Sequence, residues 1–149
     1  MLFSSELWGG PFTLNAAARL MAATALGGIL GYEREIEGKS AGVRTHMLVA
    51  LAAATFMLIG QAHQASFADM SRIIQGVATG IGFIGAGNIL KLTENRTVEG
   101  LTTAANIWVT STIGLAFGLG HFALGALASV FVLVVLRGGR MRNSSGDSR

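Results

Sequence analysis

Residues 73–90 carry no formal charge between Arg72 and Lys91. As an α-helix at 1.5 Å per residue, these eighteen residues span about 27 Å, close to the hydrocarbon thickness of a bilayer. The stretch also holds five glycines: Gly76, Gly80, Gly82, Gly85 and Gly87. In a water-exposed helix each would cost roughly 1 kcal/mol relative to alanine. In a membrane, apolar side chains no longer drive helices together, and small residues let backbones approach closely. The stretch therefore reads as the central helix of a small membrane bundle. A broken helix lining a cavity is a second reading, since interrupted glycine-rich helices build transporter sites.

The remaining sequence fits a membrane protein. Charged residues make up 13% of the chain, against about 25% in a soluble domain. The basic residues fall in loops and the tail rather than in a stripe among aromatics, so nucleic-acid binding is not expected. No cysteine is present, which excludes disulfides, zinc–thiolate sites and cysteine nucleophiles. No Lys or Arg precedes Arg19 and the first apolar run outlasts a signal sequence, so a cleavable signal is not expected.

The charge gaps predict an all-α integral membrane unit over residues 1–136, with five transmembrane helices near 13–31, 46–61, 73–90, 101–117 and 121–136. A disordered tail is expected over 137–149. Trp8, Pro11 and Phe12 suit a membrane–water interface. Residues 101–136 would measure about 54 Å as one helix, nearly twice the bilayer core, so a break is expected at Gly118-Leu119-Gly120-His121. With five spans, nine of the eleven Lys and Arg fall on one side, in loop 32–45, loop 91–100 and the tail. Arg72 stands alone on the other side, and Arg19 lies within a span. The positive-inside rule then puts the N-terminus outside and the C-terminus in the cytoplasm.

Each candidate site has a plain reading beside a functional one. Asn15, Arg19, Ala23, Gly27 and Gly31 recur every fourth residue, a pattern that faces a partner helix. A charge such as Arg19 in hydrocarbon costs from about 3 kcal/mol upward unless it snorkels or pairs. Asp69 is one candidate partner, and the alternative leaves Asp69 and Arg72 as interfacial charges. Thr102, Asn106, Thr110, Gly114 and Gly118 form a second four-residue stripe. It either hydrogen-bonds across helices or lines an ion path with the third span. No carboxylate lies inside a span, which weakens a selective divalent site. Glu33, Glu35 and Glu37 read as a solvated loop, with a hydrated Mg²⁺ as the alternative. His46, His63 and His121 are assigned to different ends and do not form one metal cluster.

Gly80-Ile-Gly82-Phe-Ile-Gly85 matches G-x-G-x-x-G, with Glu99 nineteen residues after Gly80. The dinucleotide fingerprint needs a soluble βαβ unit. Inside an uncharged span the match reads as helix packing. No acid–base or nucleophile constellation is present, so the chain reads as a non-enzyme without a cofactor.

Four motifs resemble the MgtC/SapB membrane family: Gly31-Tyr-Glu33-Arg34-Glu35; Ala41-Gly42-Val43-Arg44-Thr45-His46; the 79–87 glycine run; and Val98-Glu-Gly100-Leu101-Thr102-Thr103 with Trp108. They stand in the family's order from about Arg19 to Gly120. The resemblance implies a multi-pass bacterial inner-membrane protein of about five spans, linked to growth at low Mg²⁺ and, in some pathogens, to survival inside macrophages. Partners it implies are the F-type ATP synthase and small membrane peptides, with a homo-oligomer and the lipid bilayer as further contacts. A magnesium transporter is the alternative activity. The resemblance marks Glu33, Gly42, Arg44, Asp69, Arg72, the 80–87 glycines, Thr102 and Asn106. Many members continue into an ACT-type cytoplasmic domain, whereas only a short tail follows Leu136 here.

Overall fold

A computed structural model describes residues 11–92 and 97–144. Five helices follow in order: α1 (Pro11–Ile36), α2 (Val43–Ala62), α3 (Phe67–Gly87), α4 (Leu101–Gly118) and α5 (Phe122–Ser144). By length and composition, the stretches Thr13–Ile36 and Val43–Ala62 are apolar enough to cross a membrane. Phe122–Gly138 is a shorter apolar helix of the same character. The segment around Trp8 and residues 145–149 lie outside the described residues, as do the side chains of Lys91 and Arg96.

Helix ends differ from the charge gaps for local reasons. α1 runs on through Tyr32-Glu33-Arg34-Glu35-Ile36, because Glu and Arg are good helix formers and Arg34 gains an i,i+3 partner in Glu37. α3 starts at Phe67, six residues before the apolar run. Ser66 accepts from the Asp69 N–H while Asp69 accepts from the Ser66 N–H, a reciprocal cap that fixes the start. The boundary expected at 136 is corrected, since α5 continues to Ser144.

The loop expected over 91–100 is also corrected. Strands β1 (Leu90–Leu92) and β2 (Thr97–Glu99) pair antiparallel there, with Lys91 opposite Val98. The return leads to Gly100 at φ +88°, the N-cap of α4. A Cβ at Gly100 would collide with the Asn88 carbonyl oxygen, so this turn over the end of α3 requires glycine.

The largest correction concerns the middle of the bundle. α4, not α3, is the central helix: it contacts all four others and is buried along most of its length from Thr103 to Gly118. α3 buries only Ile81 and Gly85 among its described residues.

Close approach is concentrated on α2, between α1 and α4. A Cβ built on Gly27 would lie 2.6 Å from the His46 carbonyl oxygen, and one on Gly31 would lie 2.7 Å from Val43 Cα. On the other side of α2, a Cβ on Gly114 would strike the Ala50 carbonyl oxygen, and one on Gly118 would lie 2.6 Å from that of Ala54. Each approach puts backbone against backbone, which only glycine permits. Ala23, Leu30, Ala50, Ala54, Ile113 and Phe117 fill the core beside this seam.

The glycines of α3 have no such neighbours. Gly76, Gly80, Gly82 and Gly87 meet nothing within 4 Å, and only Gly85 touches α4, at 3.6 Å from Ala104 Cβ. At about 100° per residue, Gly76, Gly80 and Gly87 stand on the side of α3 away from Gly85. Gly114→Leu should therefore destabilise the fold by about 1–3 kcal/mol or more through overpacking. Gly80→Leu should change stability by less than about 0.5 kcal/mol, as expected of a surface position. Unfolding midpoints of the two variants in mixed detergent micelles check this contrast.

Candidate functional site

α1 carries its last turns past the apolar run, and this places charge against the bundle. Glu33 and Arg34 are 7% and 2% exposed, so they are not part of a solvated loop. Arg34 donates to Glu37 at 2.8 Å, stands 4.0 Å from Glu33 and has Nη2 3.5 Å from Thr103 Oγ1 on α4. Glu35 leaves this cluster. It is exposed, and its Oε2 accepts from the Val43 N–H at the start of α2. The three carboxylates thus diverge rather than gather around one cation: Glu33 points inward, Glu37 holds Arg34, and Glu35 caps α2. Arg44 is exposed at the same end of the bundle.

One turn deeper, His46 is wholly buried on α2. Its Nδ1 lies 2.9 Å from the Gly42 carbonyl oxygen, an acceptor, so Nδ1 donates. Asn106 Nδ2 on α4 donates to His46 Nε2 at 2.9 Å. This bond joins α2 to α4 within the apolar bundle. Asn106 is 3% exposed, and its Oδ1 has no hydrogen-bond partner among the described residues.

Most of the four-residue stripe on α4 faces α2: Asn106 bonds His46, and Gly114 and Gly118 meet the α2 backbone. Thr102 is exposed, and Thr103 takes the inward position instead. Thr110 is buried but donates to the carbonyl of Asn106 on its own helix at 2.7 Å, so it does not bridge helices. Beyond Thr110 the face closes where Gly114 and Gly118 meet the α2 backbone.

Arg19 answers a different need. Nη1 donates to Gln61 Oε1 on α2 at 2.7 Å and to the Gly118 carbonyl oxygen at 2.9 Å. It therefore ties three helix ends together and places a cation at the C-terminus of α4, where the helix dipole favours one. Its guanidinium also sits against Gly120, which turns the chain at φ +85°. Of the two readings of Asp69, the interfacial one holds: Asp69 serves the cap with Ser66 and lies 3.7 Å from Arg72, and both are exposed. Gln61 supplies the polar partner because it ends α2 beside Arg19.

The sequence reading missed His46, Arg34, Thr103 and Gln61. A spacing alternating three and four along α4, rather than four throughout, selects Thr103, Asn106 and Thr110. Arg34→Gln should destabilise the protein by about 3 kcal/mol or more, because it leaves buried carboxylate charge uncompensated. Arg44→Gln, at an exposed position, should cost less than about 0.5 kcal/mol. Detergent-unfolding midpoints of the two variants measure the difference.

Comparison with known proteins gives a consistent picture. The chain matches the MgtC family over residues 20–143. YhiD of Escherichia coli (strain K12) is 46% identical over 134 residues, covering 83% of this chain and 60% of YhiD. SrpB of Synechococcus elongatus is 39% identical over 136 residues, covering 84% and 75%. MgtC of Brucella abortus is 39% identical over 121 residues, covering 81% and 50%. The chain thus spans about 60% of YhiD and half of MgtC. No solved structure matches. The length of the family match and the level of these identities place the chain in the MgtC family of membrane proteins.

Proposed function

We propose that the chain is a non-enzymatic, multi-pass protein of the bacterial inner membrane that works by helix–helix contact with other membrane proteins. The observation that carries this reading is the unpartnered side of α3. Gly76, Gly80 and Gly87 open onto space, and an apolar groove of about 660 Å³ separates α3 from α2. Its walls include Leu48, Ala52 and Phe56 of α2 and Ile73, Gly76 and Gly80 of α3. Glycines that meet nothing within their own chain leave room for the close backbone approach by which membrane helices associate. The other glycine faces are already used on α2.

All five helices cross the bilayer in this reading, with the N-terminus outside and the C-terminus in the cytoplasm. Nine of the eleven Lys and Arg then lie at the cytoplasmic end. The family resemblance supports a role in adaptation to low Mg²⁺ and in virulence. It supports the F-type ATP synthase or small membrane peptides as partners, with a homo-oligomer as a further form.

A second reading is a small-ion path, favoured by the buried Asn106–His46 pair and by the name given to YhiD, which links that protein to magnesium transport. Purified chain in sealed vesicles holding a Mg²⁺ dye separates the two. Helix contact predicts no chain-dependent flux under gradients of ion, pH or voltage, and an ion path predicts flux.

Two outcomes test the main reading. Gly76→Leu with Gly80→Leu should abolish co-purification with the partner, or the homo-oligomer, while insertion persists; intact co-purification would contradict it. Because the chain has no cysteine, single cysteines report topology. His63→Cys should react with an impermeant thiol reagent on intact cells, and Lys39→Cys only after permeabilisation. The reverse pattern would overturn the orientation.

A further inference from the structure

His46 has one partner on each ring nitrogen, and the two partners differ in kind. The Gly42 carbonyl oxygen can only accept, so Nδ1 keeps its proton in every state of the ring. Asn106 can do either: turning its amide over presents Oδ1 where Nδ2 now stands. In the neutral ring Nε2 accepts from Nδ2–H, and Oδ1 lies buried without a partner among the described residues. An orphaned acceptor in a dry interior is unfavourable, and here it sits beside a nitrogen able to gain a proton.

We propose that His46 and Asn106 form a buried proton-binding site that senses protons from the charged end of the bundle. On uptake, the Nδ2–H···Nε2 bond breaks, Nε2 takes a proton from hydronium and releases water, and the Asn106 amide turns so that Nε2–H donates to Oδ1. The bond from Nδ1 to Gly42 persists. No group is oxidised or reduced, and the ring keeps the added charge. α2 and α4 stay joined in both states, so the event changes charge without parting the seam. Toward the other end, Ala50, Ile113 and Phe117 close the bundle with apolar side chains, whereas the charged end of α1 lies about one turn from the ring.

The charged surroundings fix what the added charge does. From α1, Arg34 is buried at the same end of the bundle, with Glu33 buried beside it and Glu37 paired to it. On α2, Arg44 is exposed two residues away, and Glu35 holds the Val43 N–H. α4 has no acidic or basic side chain, and those of α3, Asp69 and Arg72, stand at its far end. A cationic ring therefore repels Arg34 first. The 3.5 Å approach of Arg34 to Thr103 is the contact that yields, loosening α1 from α4 at the charged end.

The test is a pH titration of the full chain, ¹⁵N-labelled at His and Asn, in lipid nanodiscs. There are three histidines; His63→Asn and His121→Asn, both at exposed positions, assign the signals of His46 without touching it. At alkaline pH His46 should show the Nδ1–H tautomer. On acidification both nitrogens should become protonated, and the Asn106 side-chain signal should move with the same midpoint. Asn106→Asp should hold the ring doubly protonated at a pH where the wild-type ring is neutral. A ring that stays neutral wherever the fold persists, an Nε2–H tautomer, or protonation to which the Asn106 amide is indifferent would overturn the proposal. The wild-type titration decides the matter even if Asn106→Asp fails to fold.

Discussion

The bundle depends on backbone contact along α2. Gly27 and Gly31 of α1 press on one side of it, and Gly114 and Gly118 of α4 press on the other. In a bilayer, lipid tails are as apolar as leucine, so burial of side chains gains little over lipid contact. Close packing of backbones becomes the main source of cohesion. Alanines complete the seam: Ala50 and Ala54 face α4, and Ala23 joins the core beside them. Helices held this closely leave little room to rotate or slide, and that rigidity lets a few buried polar side chains be positioned at hydrogen-bond distance.

Most of the polar atoms in the bundle follow one rule, because polar groups buried among apolar side chains need partners there; Asn106 Oδ1 is an exception. Thr24, Thr55, Thr110 and Ser129 all bond a carbonyl four residues back on their own helix, so they place no demand on a neighbour. Asn106 and Arg19 have no such local solution. Asn106 reaches His46, and Arg19 reaches Gln61 and the end of α4. These two cross-links lie toward opposite ends of the seam and bracket the apolar core around Ile113. Arg34 adds the charged counterpart at the end of α1, where Glu37 and Thr103 meet it.

Much of this was legible in the chain, within limits that particular residues explain. Charge gaps located the apolar cores of the helices, because charge is costly in hydrocarbon. They could not locate the ends, because caps such as Ser66–Asp69 and helix-forming runs such as 32–36 extend helices beyond the apolar stretch. Small-residue spacing on α1 did point at a partner, and Gly27 meets one. The same reasoning overestimated α3. A glycine shows that a neighbour could come close, not that one does, and sequence does not distinguish Gly114 from Gly80. The burial of His46 was not legible because it stands at the edge of its apolar run, where a histidine more often faces water. Its burial follows from Gly27 of α1 packing against its carbonyl, a long-range contact without a local signature.

The two kinds of glycine differ in what they meet: one set closes the bundle, and the set on α3 faces open space, where we propose that a partner helix packs. Phe83 is 84% exposed beside Gly80 and Gly87, so it marks that open side. A photo-crosslinking residue at position 83, activated in the intact cell membrane, tests the claim most directly. A partner helix on this side gives a discrete protein adduct at position 83, to a second copy or another membrane protein, that disappears when Gly80 is also changed to Leu. Adducts to lipid alone, or a protein adduct that survives Gly80→Leu, would contradict it.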